Sequence, residues 1–142
     1  MNKIYFLNES VDKDSNSVNP FEKSNFNMGW KISTSISLFE KDYKITILAE
    51  AYNKSEKAND AQIKSYNDFI KKQSTILPKV EKLLAYEANS IDNAKKRFTP
   101  KMIYINQNGN YAMIFDDKEN KEDGIAVTIK PSIKVTTTDQ YL

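Results

Sequence analysis

The sequence predicts an α+β fold: an antiparallel sheet of about five or six strands with two helices packed on one face. Three observations carry this. Segments 30–39 and 43–49 alternate apolar and polar residues with period two. Between residues 59 and 95 the apolar residues fall instead at helical spacing, Ile63, Tyr66, Phe69 and Ile70 first. From Phe98 onward the alternation returns around an Asn108-Gly109 pair, the strongest short hairpin signal. At 142 residues the chain is expected to form a single domain, 1–142, large enough to bury a core without cross-links.

Residues 8–29 are rich in Asn, Ser, Asp and Lys and are expected to be largely loop. In the first strand Trp30, Ile32, Thr34, Ile36 and Leu38 share one face and Lys31, Ser33, Ser35, Ser37 and Phe39 the other. Glu40-Lys41-Asp42 is expected to turn the chain, and Tyr43, Ile45, Ile47 and Ala49 continue as the second strand. Asn59 and Gln62 stand at capping-box spacing, where each side chain satisfies a free backbone donor of the other. Pro78 is tolerated best in the first turn of a helix, which predicts two helices, 60–73 and 78–95; one kinked helix is the alternative. The second would place Val80, Leu83, Leu84 and Ile91 on one face and end in Lys95-Lys96-Arg97, whose charge suits a helix C-terminus.

Strands near 102–107 and 110–116 flank Asn108-Gly109, expected as a type I′ turn. A polar loop, 116–123, ends at Gly124, and further strands follow at 125–129, closed by Pro131, and at 133–137. The predicted core is Trp30, Ile45, Ile47, Phe69, Leu83, Leu84, Ile103, Ile105, Ile114, Ile125 and Val127.

Composition narrows the chemistry. With neither Cys nor His, disulfides, thiolate metal sites and Ser-His or Cys-His machinery are excluded. A net charge of +2 from 21 basic and 19 acidic residues lacks the basic excess of a nucleic-acid binder. Lysine supplies nearly all of the positive charge; Arg97 stands alone. The N-terminal apolar run, 4–7, is too short for a secretory leader, and no stretch approaches the ~20 apolar residues that span a bilayer. The expected location is the cytoplasm.

The densest cluster of functional groups is acidic: Asp116, Asp117, Glu119, Glu122 and Asp123, ahead of Gly124. Such a cluster is most often a solvated inter-strand loop. It can also present a negative patch to a basic partner, or hold a divalent cation, although the spacing is not that of a calcium loop and Lys118 and Lys121 offset the charge. Nothing marks a pair of carboxylates as a glycosidase acid and base, and Gly29, Gly109 and Gly124 are too scattered to cradle a phosphate. The aromatic residues, Trp30 and Tyr104 among them, can stack on a ligand but fall mostly at core-facing positions. No catalytic, cofactor-binding or metal-ligating residue is therefore assigned. Asp117, Glu119 and Glu122 are the candidate partner-binding residues, with the helix surface 71–82 next in order.

One resemblance runs through these positions. Trp30, then Gln62, Tyr66 and Phe69, then Ile76-Leu77-Pro78 with Val80, Leu83, Leu84 and Tyr86, are followed by Pro100 to Ile105, Tyr111, Asp116-Asp117, Asp123-Gly124-Ile125-Ala126-Val127 and the terminal Thr138-Asp139-Gln140-Tyr141-Leu142. This order resembles a family of small bacterial immunity proteins associated with polymorphic-toxin and contact-dependent growth inhibition loci, over about residues 26–142. The resemblance implies a cognate immunity protein, not an enzyme, that neutralises the C-terminal domain of one toxin by stoichiometric binding, without cofactor, nucleic acid or membrane. It implies no catalytic residue and leaves the toxin open. A small carboxylate-dependent enzyme, metal-assisted or not, and an accessory binding module unrelated to toxins are the competing classes.

Overall fold

The computed structural model describes residues 19–22 and 24–138; the apolar run 4–7, most of the 8–29 loop and tail residues 139–142 lie outside the described residues. The elements are β1 (Asn25–Phe26), β2 (Gly29–Leu38), β3 (Lys41–Glu50), α1 (Asp60–Glu87), α2 (Ile91–Arg97), β4 (Phe98–Ile105), β5 (Tyr111–Asp117), β6 (Ile125–Lys130) and β7 (Lys134–Thr136). All seven of these strands form one sheet, in the order of the chain. The α+β class is as expected, but the sheet is mixed: β3 and β4 pair in parallel, Ile47 beside Ile103, while every other pairing is antiparallel. The reason is the crossover between them. The 28-residue α1 spans about 42 Å at 1.5 Å per residue, enough to carry the chain back along β3, so β4 sets out in β3's own direction.

Helix α1 corrects the expected break at Pro78. It runs unbroken from Asp60 to Glu87 with Pro78 inside. An interior proline costs about 3 kcal/mol, through a lost hydrogen bond and a clash with the preceding turn. Ile76, Leu77, Val80 and Leu84 keep their helical spacing across it and are all buried, which outweighs that cost. The interruption falls later. Asn89 turns left-handed, φ 72°, and Ser90 caps α2 by accepting the Asn93 N–H at 3.0 Å. Ile91, expected on the buried face, is 51% exposed in the first turn of α2.

At its start α1 has the predicted capping box. Asn59 Oδ1 accepts the Gln62 N–H at 2.9 Å and Gln62 Oε1 accepts the Asn59 N–H at 3.0 Å. The Gln62 amide then goes further. Its Nε2 donates to the Glu50 carbonyl at 3.0 Å and the Ile105 carbonyl at 3.2 Å, tying the ends of β3 and β4 together under the helix.

The core lies between the helices and one sheet face. Phe69, Ile76, Leu77, Val80 and Leu84 meet Ile36 and Leu38 of β2, Ile45 and Ile47 of β3, Ile103 and Ile105 of β4, Met113 and Phe115 of β5, and Ile125 and Val127 of β6. Of the predicted core, Trp30 and Leu83 are half-buried at its margin, and Ile114 is buried on the opposite face with Ala112 and Ala126. That face is wet along β2, where Ser33, Ser35 and Ser37 are exposed, but β5 and β6 are buried on both faces from Tyr111 to Phe115 and from Ile125 to Ile129. No helix among the described residues is long and apolar enough to cross a membrane.

The turns also depart from expectation. β2 runs on to Leu38, and the chain reverses at Phe39-Glu40, both left-handed at φ 54° and 62°, rather than at Glu40-Lys41-Asp42. Asn108-Gly109 does lie at the tip between β4 and β5. Only Gly109 has positive φ there, 89°, and the loop spans three residues between Asn106 and Asn110, not the two of a type I′ turn.

Candidate functional site

The acidic segment is the end of β5, Asp116 and Asp117, and the turn that follows it to β6, and the lone arginine organises it. Arg97 is the last residue of α2, set against the end of β5 because the Lys118 N–H donates to the Arg97 carbonyl at 3.0 Å. Its guanidinium grips Asp117 with two hydrogen bonds, Nε to Oδ1 at 2.8 Å and Nη2 to Oδ2 at 3.0 Å. A further nitrogen, Nη1, lies 3.4 Å from Glu119 Oε1, and the guanidinium also covers the Phe98 ring at 4.8 Å. Lysine, a point charge, cannot supply this planar fork.

Asp117 is 4% exposed and serves the turn as an acceptor. Beyond Arg97, its Oδ1 accepts the Glu119 N–H at 2.9 Å, and its carbonyl accepts the Asn120 N–H at 3.0 Å. Burial pushes the Asp117 carboxyl up, but the Arg97 hydrogen bonds and the Glu119 N–H outweigh it, so the group sits below the ordinary carboxylate range and stays charged at neutral pH. The turn closes at Gly124, whose N–H donates to the Asn120 carbonyl at 2.9 Å. Gly124 has φ 66°, and a Cβ there would lie 2.6 Å from the Phe115 carbonyl oxygen, so glycine is required.

The three candidate residues thus divide. Asp117 is the buried anchor of the turn. Glu119, its side chain 71% exposed, borders the same guanidinium, and Glu122 is exposed on the outer part of the turn with Asp123. Asp116 points away from this group toward Lys101, 3.6 Å off. Among the described residues no three carboxylates converge as metal ligands. Behind the turn lies a cleft of about 280 Å³, lined by Glu87, Arg97, Asp117, Gly124, Val135 and Thr136. Arg97 stands, as expected, with Lys95 and Lys96 in the basic last turn of a helix; what the sequence does not show is its grip on Asp117. The rarity of arginine in a lysine-rich chain was the available signal.

A second cavity, about 370 Å³, opens between the start of α1 and the start of β2, with Phe21, Trp30, Ala58 and Ile63 as its apolar lining and Lys54 and Lys57 among its polar residues. Phe21 packs edge-on against Tyr66 at 5.4 Å, and the Trp30 indole N–H donates to the Glu56 carbonyl at 2.6 Å. The helix surface at 71–82 is largely exposed, with Ile76, Leu77 and Val80 turned inward. No protein-family model, curated protein or solved structure matches this chain.

Proposed function

We propose that this chain is the cognate immunity protein of a bacterial toxin, binding the toxin's C-terminal domain one-to-one in the cytoplasm without catalysis. The resemblance set out above motivates the class. The observation that supports a binding role for the turn is its construction: Arg97 and Asp117 hold the backbone from 117 to 120, so Glu119 and Glu122 are displayed on a fixed frame. A pre-set acidic surface loses little entropy on docking and steers a basic partner toward it. Asp117 contributes by shaping the turn, and the contact itself falls to Glu119 and Glu122.

The test is binding of the full chain to the C-terminal domain of a large secreted protein encoded beside it. A one-to-one complex whose association rate falls with added salt is expected. Glu119→Ala with Glu122→Ala should slow association several-fold while leaving the fold intact. Failure of the neighbouring domain to bind would reject the immunity reading. Binding with unchanged rate and salt dependence in the double variant would keep that reading and move the site off the turn, first to the helix surface 71–82.

A further inference from the structure

Among the described residues the outer edge of β2 is open beyond its start. β1 covers only its start, with Phe26 opposite Trp30 and Asn25 opposite Lys31, and among the described residues no strand pairs with 32–38 beyond it. The direction of the free backbone groups follows from the hairpin. The two-residue turn at Phe39-Glu40 makes Leu38 and Lys41 a pair that exchanges both its hydrogen bonds, so even-numbered residues of β2 bond to β3. Odd-numbered residues face outward, as the Asn27 N–H confirms by donating to the Gly29 carbonyl at 2.9 Å. Ser33, Ser35 and Ser37 therefore turn their N–H and C=O groups away from β3, and no described strand pairs with them there. Edge strands are ordinarily blunted by lysine, proline, a bulge or an inward charge; the stretch Ile32-Ser33-Thr34-Ser35-Ile36-Ser37-Leu38 has none of these.

We infer that this edge pairs with the same edge of a second copy of the chain, antiparallel, about a two-fold axis through Ser35. Three features of the segment choose that occupant. The first is length: β1 bounds the open slot at one end and the Phe39-Glu40 turn at the other, so the slot spans 32–38, the same residues that would fill it. The second is register. With Ser35 opposite Ser35 of the second copy, Ser33 faces Ser37, Thr34 faces Ile36 and Ile32 faces Leu38. The outward-bonding residues then meet one another and form about six backbone hydrogen bonds. Small polar side chains meet on one face and apolar ones on the other, with no like charges opposed. The third is the neighbouring groove. Beside the edge, Ser37, Gln73, Ser74, Leu77, Pro78 and Glu81 line a hollow of about 310 Å³. Its helix side is uncharged apart from Glu81, whose carboxylate already accepts the Phe39 N–H at 2.7 Å. At the other end of β2 the chain's own Phe21 is buried against Tyr66 of α1; the two-fold would bring a second α1 to the open end.

The acidic turn between β5 and β6 takes no part, so this pairing stands or falls apart from toxin binding. Sedimentation of the full chain over a concentration series should give a dimer. Ser33→Lys with Ser37→Lys opposes two pairs of like charges in the stated register and should weaken the dimer about tenfold. Ser33→Lys with Ser37→Glu, at the same positions, should keep it, because each lysine then faces a glutamate. Ser35→Pro, which removes an outward N–H that pairs with no described strand, should abolish it. Circular dichroism checks the fold of each; should the proline variant unfold, the two charge variants decide. A chain monomeric at every concentration overturns the proposal, including the case in which only another protein's strand adds to the edge. So does a dimer indifferent to the charge variants.

Discussion

The hairpin turns at Phe39-Glu40 and at Gln107-Asn108-Gly109 reverse the chain by opposite means. The second is made locally. Asn106 Oδ1 accepts the N–H groups of Asn108 and Asn110 at 3.2 and 3.1 Å, and glycine takes the left-handed position. The first puts two side-chain-bearing residues in left-handed conformation, each at a cost of about 1–2 kcal/mol, and neither is Asn, Asp or Gly. It is held from a distance: the Phe39 ring is buried in the core and the Phe39 N–H is bonded to Glu81, far along α1. One turn specifies its neighbourhood, while the other is specified by it. A short-range signal therefore reports where a turn is only when the turn is locally made.

Substitutions at Phe39, Gly109, Glu81 and Glu40 test that contrast, and a titration at Asp117 extends it to a third turn, from the largest effect down. Phe39→Ala removes the buried ring that holds the distant-made turn and should cost about 3–5 kcal/mol in chemical denaturation; a loss under about 1 kcal/mol would mean the turn is set locally after all. Gly109→Val should cost about 2–4 kcal/mol, from a β-branched residue at positive φ and from crowding. A Cβ there would stand 3.0 Å from the Ala61 carbonyl oxygen, under α1. Glu81→Ala should cost about 1–3 kcal/mol, with Glu81→Gln recovering part of it by keeping an acceptor for the Phe39 N–H.

The β5–β6 turn, held by an ion pair, adds a pH test. The Asp117 carboxyl is more acidic folded than unfolded, so its contribution to stability is complete above the unfolded value, near pH 4, and is lost as pH falls through the folded one. Denaturation midpoints measured down to pH 2–3 should show an acid-labile component that Asp117→Asn lacks. The smallest effect has the opposite sign. Glu40→Gly relieves left-handed strain at an exposed position and should stabilise the protein by about 0.5–1 kcal/mol after the entropy glycine adds to the unfolded chain. Destabilisation instead would mean that the Glu40 side chain holds the turn.

The same division between local and distant causes explains what could be read from the sequence. The Asn59–Gln62 box, the alternation of β2, β3 and β4 and the glycine of the β4–β5 loop are short-range patterns, and each appears in the structure. The parallel pairing of β3 with β4 left no such trace, because alternation records which face is buried and not which way the neighbouring strand runs. Pro78 argued for a helix end on propensity alone, and the apolar positions on either side of it, buried together, prevailed. In the candidate site, the carboxylate cluster was visible but its division was not. Asp117 and Glu119 are two residues apart and chemically alike; only the approach of Arg97 from α2 makes one an internal anchor and leaves the other outside.

The Gln62 side chain has a consequence for how the molecule opens. A helix's first turn ordinarily frays, since its leading N–H groups lack partners within the helix. Here the residue that completes the cap also holds the last carbonyls of the two strands that meet in parallel. Unwinding the start of α1 must release β3 and β4 at their ends, so one local fluctuation becomes the parting of helix and sheet. The amide protons of Gln62 and Ile63 should accordingly exchange with deuterium through the same rare event as those at the centre of the sheet, and a segment that would be the helix's loosest belongs to its slowest-opening unit.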